Sequence, residues 1–272
     1  LAMAMALVNA GGSFGQFLMA PVAALLMASL GWAAALQVLG VLMLLALPAA
    51  YVLRGRSAPA STASATPRPT GGARQAMHAA WQHPAYKVLC AGFLVCGFHV
   101  ALLATHMPGV IASCGLPVEI GAWSLALIGL FNIVGSLGMG WAMGRWRMRS
   151  LLSLVYAARA LAVLAFLAAP KTELTVLIFA AVMGVTFLST VPPTAGLVAK
   201  FFGTSHMALL FGLVMLVHQI GGFLGAWAGG KVFEMTGSYN WIWYVDVMLA
   251  LAAALIHLSI KEAPLPARAA IA

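Results

Sequence analysis

Charge is what this sequence has least of. Asp, Glu, Lys and Arg together make up 7% of its 272 residues, where a soluble domain carries roughly a quarter. That scarcity excludes a water-facing globular surface. Acids are rarer still, five against fourteen Lys and Arg. Cys90, Cys96 and Cys114 are the only cysteines. An odd count without metal-ligand spacing supports neither a disulfide framework nor a metal site. Cys90 and Cys96 lie in an apolar stretch and read as small packing residues. HExxH is missing, as are paired carboxylates inside the apolar runs, so two usual starting points for hydrolytic chemistry are gone. No catalytic residue, metal or cofactor is expected, and an intramembrane enzyme is the weakest functional reading.

What the sequence has in abundance is apolar length. Hydrophobic residues make up 63% of the chain, and mean hydropathy is +1.02. Eight apolar segments can be drawn, at 2–26, 33–53, 87–112, 120–143, 151–169, 174–199, 206–233 and 241–260. Each is near the ~20 residues that a membrane crossing needs. In lipid such runs must be helices, because only a helix satisfies its own backbone hydrogen bonds. The short alternating segments of a β-barrel are not there. The fold class is therefore all-α and integral to a membrane. The chain opens at Leu1 inside an apolar run without a cleavable signal peptide, so a longer parent polypeptide is expected.

The formal charge of +9 raises nucleic acid as a partner, but the basic residues sit in loops and ends without a basic, aromatic-laced face. Nucleic acid is not expected. Residues 54–86 hold the one long hydrophilic stretch, SAPASTASATPRPTGGAR within it, whose composition marks a flexible linker. With that linker in the cytoplasm, the same side collects Arg54, Arg56, Arg68, Arg74, Lys87, Arg145, Arg147, Arg149, Lys200, Lys261 and Arg268. The other side keeps Lys171 and Lys231 beside Glu119, Glu173 and Glu234. Such asymmetry sets orientation and makes both termini cytoplasmic, the tail being 261–272. Trp32, Trp81, Trp123, Trp146, Trp241 and Trp243 fall near segment ends, as interfacial belts do.

An internal repeat organises the segments. Gly11-Gly12-Ser13-Phe14-Gly15 in the first and Gly221-Gly222-Phe223-Leu224-Gly225 in the seventh both read GGxxG, at the same offset throughout. Each is followed by a Gly/Trp turn and an apolar segment ending in a basic residue. Segments one and two thus copy seven and eight, and the natural unit is six helices. The glycines of both motifs are expected to permit close helix contact.

The arrangement resembles the major facilitator superfamily of secondary transporters. GGSFGQFLMAP at 11–21 is similar to the glycine-proline stretch of that family's fifth helix. GWAMGRWRMRSLL at 140–152, with Gly140, Arg145, Arg147 and Arg149, is similar to its signature cytoplasmic loop. The stretches 104–136 and 211–244 resemble bacterial members of its monocarboxylate-porter-like branch. The resemblance implies a chain equivalent to helices five to twelve. Residues 1–53 would be the last two helices of an N-terminal bundle and 87–260 a complete C-terminal bundle, in a bacterial inner (plasma) membrane. It also implies alternating access around a midplane site, with a small organic solute, the lipid bilayer and the first four helices or another chain as partners. The loop has Gly144 where the family places an Asp, and Asn132 and Ser136 occupy positions where proton-coupled monocarboxylate carriers hold an Asp and an Arg. Proton-monocarboxylate chemistry is therefore not carried over.

Polar groups at membrane depth are costly unless used or paired, which selects the candidates. His99 and His106 are seven residues apart on one helical face that Gly92 and Cys96 continue; an imidazole there binds solute or takes a proton, or hydrogen-bonds between helices. Asn132 suits a carboxylate or polar solute, or an interhelical bond. His218 and Gln219 are adjacent, so one of the two faces a cavity. Asn9, Ser13 and Gln16 form one polar stripe, and Thr186, Thr190 and Thr194 another, both more typical of helix packing than of ligand sites. Pro192-Pro193 allows a bend that a gating helix uses. Arg159 and Asp246 are the remaining charges inside spans. Arg159 would welcome an anion but reads as peripheral support, and Asp246 is placed near Lys231 for an interfacial ion pair. The leading function is a secondary transporter of a small organic solute, an organic anion included. Against it stands a truncated or non-transporting membrane protein lacking the first four helices.

Overall fold

The structure, a computed structural model, describes residues 2–52 and 72–262. Arg54, Arg56, Arg68, Arg268, most of the 54–86 linker and most of the 261–272 tail lie outside the described residues. All regular structure among the described residues is helical. The elements are α1 (Ala2–Leu44), α2 (Ala46–Val52), α3 (Ala73–Gln82), α4 (Pro84–Ser113), α5 (Glu119–Ala142), α6 (Met148–Ala168), α7 (Glu173–Thr186), α8 (Val191–Phe202), α9 (Met207–Thr236) and α10 (Asn240–Leu258). Seven stretches are long and apolar enough to cross a membrane, and their exposed faces carry side chains such as Phe223, Trp227, Leu251 and Leu255. The protein is an integral membrane protein.

Local chemistry sets many helix ends. Pro84 opens α4, where a missing N–H costs nothing. The Thr172 hydroxyl caps α7 by accepting from Thr175 N at 3.2 Å. Gly237, left-handed at φ 66°, closes α9 and bonds back to the Phe233 carbonyl.

Three features depart from the sequence reading. First, the helices expected at 2–26 and 33–53 part at Gly31, which leaves helical geometry (φ 76°, ψ 166°), but the second is interrupted again at Leu45, so that its end forms the short α2. Gly is the residue that tolerates this backbone. The apolar stretch Leu7–Pro48 that spans the break is 42 residues long, about twice a crossing length. Second, the segment at 174–199 is not one helix. It breaks at 187–190, and Pro192-Pro193 begins α8 rather than bending a continuous helix, because proline disfavours the α region for the residue before it but suits a first turn. Third, part of the linker is ordered as α3, whose Ala80 is buried in the same cluster as Tyr86 and Leu89 of α4.

Packing pairs α4 with α9, α1 with α5, α5 with α7 and α6 with α10. The α4–α9 contact is backbone on backbone: a methyl at Gly221 or Gly225 would run into the carbonyls of Leu94 or Phe98, and one at Gly97 into that of His218. Small residues are what allow helices to approach this closely in lipid. On the other side of the bundle, Phe166 and Phe179 stack at 4.2 Å, both edge-on to the buried Trp243.

Candidate functional site

Two polar systems thread this apolar bundle. The first is the seam between α1 and α5, which run antiparallel in register. Asn9 Nδ2 donates to Ser136 Oγ at 2.6 Å, Asn132 Nδ2 donates to Ser13 Oγ at 2.6 Å, and Gln16 Nε2 donates to the Leu125 carbonyl at 3.3 Å. The Asn9–Ser13–Gln16 stripe is thus a packing face. Gly129 makes room for it, a methyl there falling 2.7 Å from Phe17 N. Asn132 reaches further: its Oδ1 accepts Leu188 N at 3.0 Å, inside the α7–α8 break. One fully buried amide therefore ties α1, α5 and the broken helix together.

The second system is centred on α4, α6 and α10. Arg159 of α6 is fully buried, and its Nη2 donates to the carbonyls of Thr186 and Phe187 at 2.6 and 2.7 Å. Those carbonyls end α7 without helical partners, and the negative end of a helix dipole favours a cation there. The guanidinium also reaches Cys96 Sγ at 3.5 Å, and Cys96 lies 3.2 Å from Thr190 Oγ1. Arg159 is accordingly a brace for the break, in keeping with a supporting role. One turn along α4, His99 Nδ1 lies 2.6 Å from Asp246 Oδ2, both side chains 1% exposed. This corrects the expected Lys231–Asp246 pair: Lys231 instead holds Glu234 at 2.8 Å, one turn away on its own helix.

The other candidates separate. His106 Nε2 lies 2.8 Å from the Ala226 carbonyl of α9, with its ring beside Tyr239. The expected face of Gly92, Cys96, His99 and His106 is buried throughout, but its members address different neighbours: a methyl at Gly92 would strike His257 of α10, while His106 faces α9. His218 is buried against Phe93 and lies 3.0 Å from Gln219 Oε1, and Gln219 is exposed. Asn132 and His99 therefore belong to different systems, and His218 joins the second through Cys96. Pro192 and Pro193 are buried in the first turn of α8. Gly221 and Gly225 touch α4, as above, and Gly222 would meet Ala101; Gly11, Gly12 and Gly15 have nothing within 4 Å of an added methyl.

At the bundle end carrying the α5–α6 loop, Gly140 is buried on α5, Arg145 lies 3.9 Å over the Trp141 ring, and Arg147 starts α6. Arg149 donates from its backbone N to Glu262 at 2.7 Å and from Nη1 to the Ile260 carbonyl at 3.1 Å, while Lys200 pairs with the same Glu262 at 3.2 Å. This cluster fastens the ends of α6, α8 and α10. Outside the spans, burial lowers the His83 imidazole and raises the Tyr239 phenol. Among the described residues no group of three His, Cys, Asp or Glu side chains is placed to hold a metal ion.

Sequence reasoning missed the His99–Asp246 pairing. The signal was there: two lone ionisable residues inside apolar helices call for each other.

The chain is 25% identical over 261 residues to a Bacillus subtilis (strain 168) protein described as the uncharacterized MFS-type transporter YcxA, covering 94% of this chain and 63% of that relative. It thus spans less than two thirds of the relative's length. The profile of the Major Facilitator Superfamily matches residues 1–226. With seven stretches of crossing length among the described residues and that match over most of its length, the chain belongs to the Major Facilitator Superfamily.

Proposed function

We propose that this chain forms part of a secondary transporter that carries a small organic solute, an organic anion such as a monocarboxylate, by alternating access. The observation that carries the reading is the polar seam between α1 and α5. Apolar helices need no amides to associate in lipid, and buried polar groups there are expensive unless used. A seam that also holds the backbone of a broken helix lets one bundle's position bear on another's gate.

On this reading residues 1–53 end an N-terminal bundle, 87–260 form the C-terminal one, and 54–86 link them in the cytoplasm. Both termini are cytoplasmic and the membrane is a bacterial inner membrane, in keeping with the asymmetry of Lys and Arg. Asn132 and the exposed Gln219 beside His218 are the solute-contacting candidates. The remaining helices come from the parent polypeptide or another chain.

The test is uptake of radiolabelled lactate by proteoliposomes holding the complete protein, with a neutral sugar as control. Lactate uptake that Asn132→Ala and Gln219→Ala both diminish is the expected result. Uptake equal to that of empty vesicles, or kinetics unchanged in both variants, would remove the reading or its site.

A further inference from the structure

A cavity of about 690 Å³ lies between α5, α6 and α7, within the ~300–1,000 Å³ of ligand pockets. Gly138, Met139, Leu154, Val155, Ala158 and Val185 form its walls. Leu154 and the neighbouring Val134 on its rim are well exposed, so the groove faces the surroundings of the bundle and not its core. Thr186 and Ser189 also line it, but their hydroxyls turn to the Met183 and Val185 carbonyls of the same segment. The groove is thus apolar along its length.

Its polar capacity lies at one end. Trp146 and Ser150 line the mouth, and the exposed Ser150 hydroxyl has no partner among the described residues. Arg145 lies over the Trp141 ring, which meets that of Trp146 edge-on at 5.5 Å; this contact leaves the N–H groups of the guanidinium unengaged. The Arg147 side chain has no partner among the described residues either. Such planar forks suit phosphate. The far end of the α6–α7 seam differs. A smaller cavity of about 240 Å³ opens there, but Lys171 donates to the carbonyls of Phe166, Leu167 and Ala169, which takes up all the donors an ammonium has.

Length decides what fits. From Ser150 to Ala158 α6 rises about 12 Å, and half of a hydrocarbon core is about 15 Å. A membrane-crossing helix needs the full thickness, whereas an acyl chain needs one leaflet. We propose that this groove binds an anionic phospholipid of the leaflet on the Arg145 side. One acyl chain lies between α5 and α6 with its end against Thr186 and Ser189, and the phosphate sits by Ser150, Arg145 and Arg147. Trp141 and Trp146 mark the headgroup level. In the orientation proposed above this is the cytoplasmic leaflet, whose lipids carry the negative charge. The chain end touches the segment flanking the α7–α8 break, so leaflet composition bears on the helix that Arg159 braces. The site is separate from the solute candidates Asn132 and Gln219 and holds whatever solute is carried.

The experiment uses the complete protein in phosphatidylcholine vesicles containing a trace of either phosphatidylglycerol or phosphatidylcholine with a diazirine near the end of one acyl chain. After illumination the labelled peptides are identified. Label on 150–158 and 185–189 is expected to be about tenfold higher from the phosphatidylglycerol probe. Arg145→Gln and Arg147→Gln together should bring it down to the phosphatidylcholine level, whereas Lys231→Gln, at an exposed cation on α9, should leave it unchanged. An added methyl at Gly138 meets nothing within 4 Å, so Gly138→Leu should fill the groove and remove its label while the exposed Phe223 and Trp227 of α9 keep theirs. Equal labelling by the two probes in the unsubstituted protein, or label no denser on 150–158 than on α9, overturns the proposal with no variant needed.

Discussion

Replacing Asn132 by alanine tests the seam most directly, because its three hydrogen bonds have unequal fallbacks. Ser13 Oγ, deprived of Asn132 Nδ2, keeps its own bond to the Asn9 carbonyl at 2.8 Å. Ser136 Oγ, which donates only at 3.5 Å to Asn132, keeps the bond it accepts from Asn9. Leu188 N has no such alternative, since it lies in the break between α7 and α8. An orphaned buried N–H costs about 1–3 kcal/mol, and the lost side-chain bond between helices adds about 0.6 kcal/mol. Asn132→Ala should therefore destabilise by about 2–4 kcal/mol. Ser13→Ala, which removes the interhelical bond and leaves Leu188 N satisfied, should cost about 1 kcal/mol. The assay is unfolding of the purified protein in mixed micelles by graded sodium dodecyl sulfate, followed by circular dichroism. The reasoning fails if Asn132→Ala is no more destabilising than Ser13→Ala.

Other outcomes follow from the same geometry. Gly221→Ala should cost about 1–3 kcal/mol by overpacking against the Leu94 carbonyl, while Gly212→Ala on the same helix, with open space around it, should change stability by less than about 0.5 kcal/mol in that assay. Arg159→Met leaves two α7 carbonyls unpartnered and should cost about 3 kcal/mol or more. Arg159→Lys should recover only part of this, because a single ammonium does not reproduce the fork. His83 lies between α3 and α4, its ring 5.0 Å from that of Phe201. Burial sets its folded pKa below the ordinary 6.5, so the unfolded segment binds the proton more readily. Docking of α3 is at full strength above about pH 6.5 and weakens as pH falls through and below it. Hydrogen exchange over 73–82 should speed up on acidification, and His83→Gln should abolish that dependence.

Where the helices run was legible because lipid leaves the backbone no alternative to helix. The expected span at 120–143 became Glu119–Ala142, and that at 241–260 became Asn240–Leu258. Pro192-Pro193 marked an irregularity in the segment at 174–199, but the full break at 187–190 was not legible, because hydropathy continues straight across Phe187 and Leu188 while the bonds from Asn132 and Arg159 that hold it come from far away in sequence. Nor does one motif mean one environment. GGxxG reads alike at 11–15 and 221–225, but the glycines Gly221 and Gly225 press against α4, while Gly11, Gly12 and Gly15 have nothing within 4 Å of an added methyl among the described residues. Of the candidate residues, Asn132 and His99 were found as polar groups in apolar runs. Their partners were not, since pairing across 147 residues, as between His99 and Asp246, follows from the tertiary fold and not from helical spacing.

The α1–α5 seam has an energetic consequence. Parting the two helices gives up three side-chain bonds among the described residues, those of Asn9, Asn132 and Gln16. At about 0.6 kcal/mol each these sum to about 2 kcal/mol. Ser13 already bonds back to its own helix at the Asn9 carbonyl, and Ser136 bonds back to Asn132 on its own, so neither hydroxyl is stranded when the helices separate. Couplings of about 1–3 kcal/mol are what ligand binding ordinarily supplies. The seam is in that sense a latch: strong enough to hold a register, weak enough for a coupling of ordinary size to open.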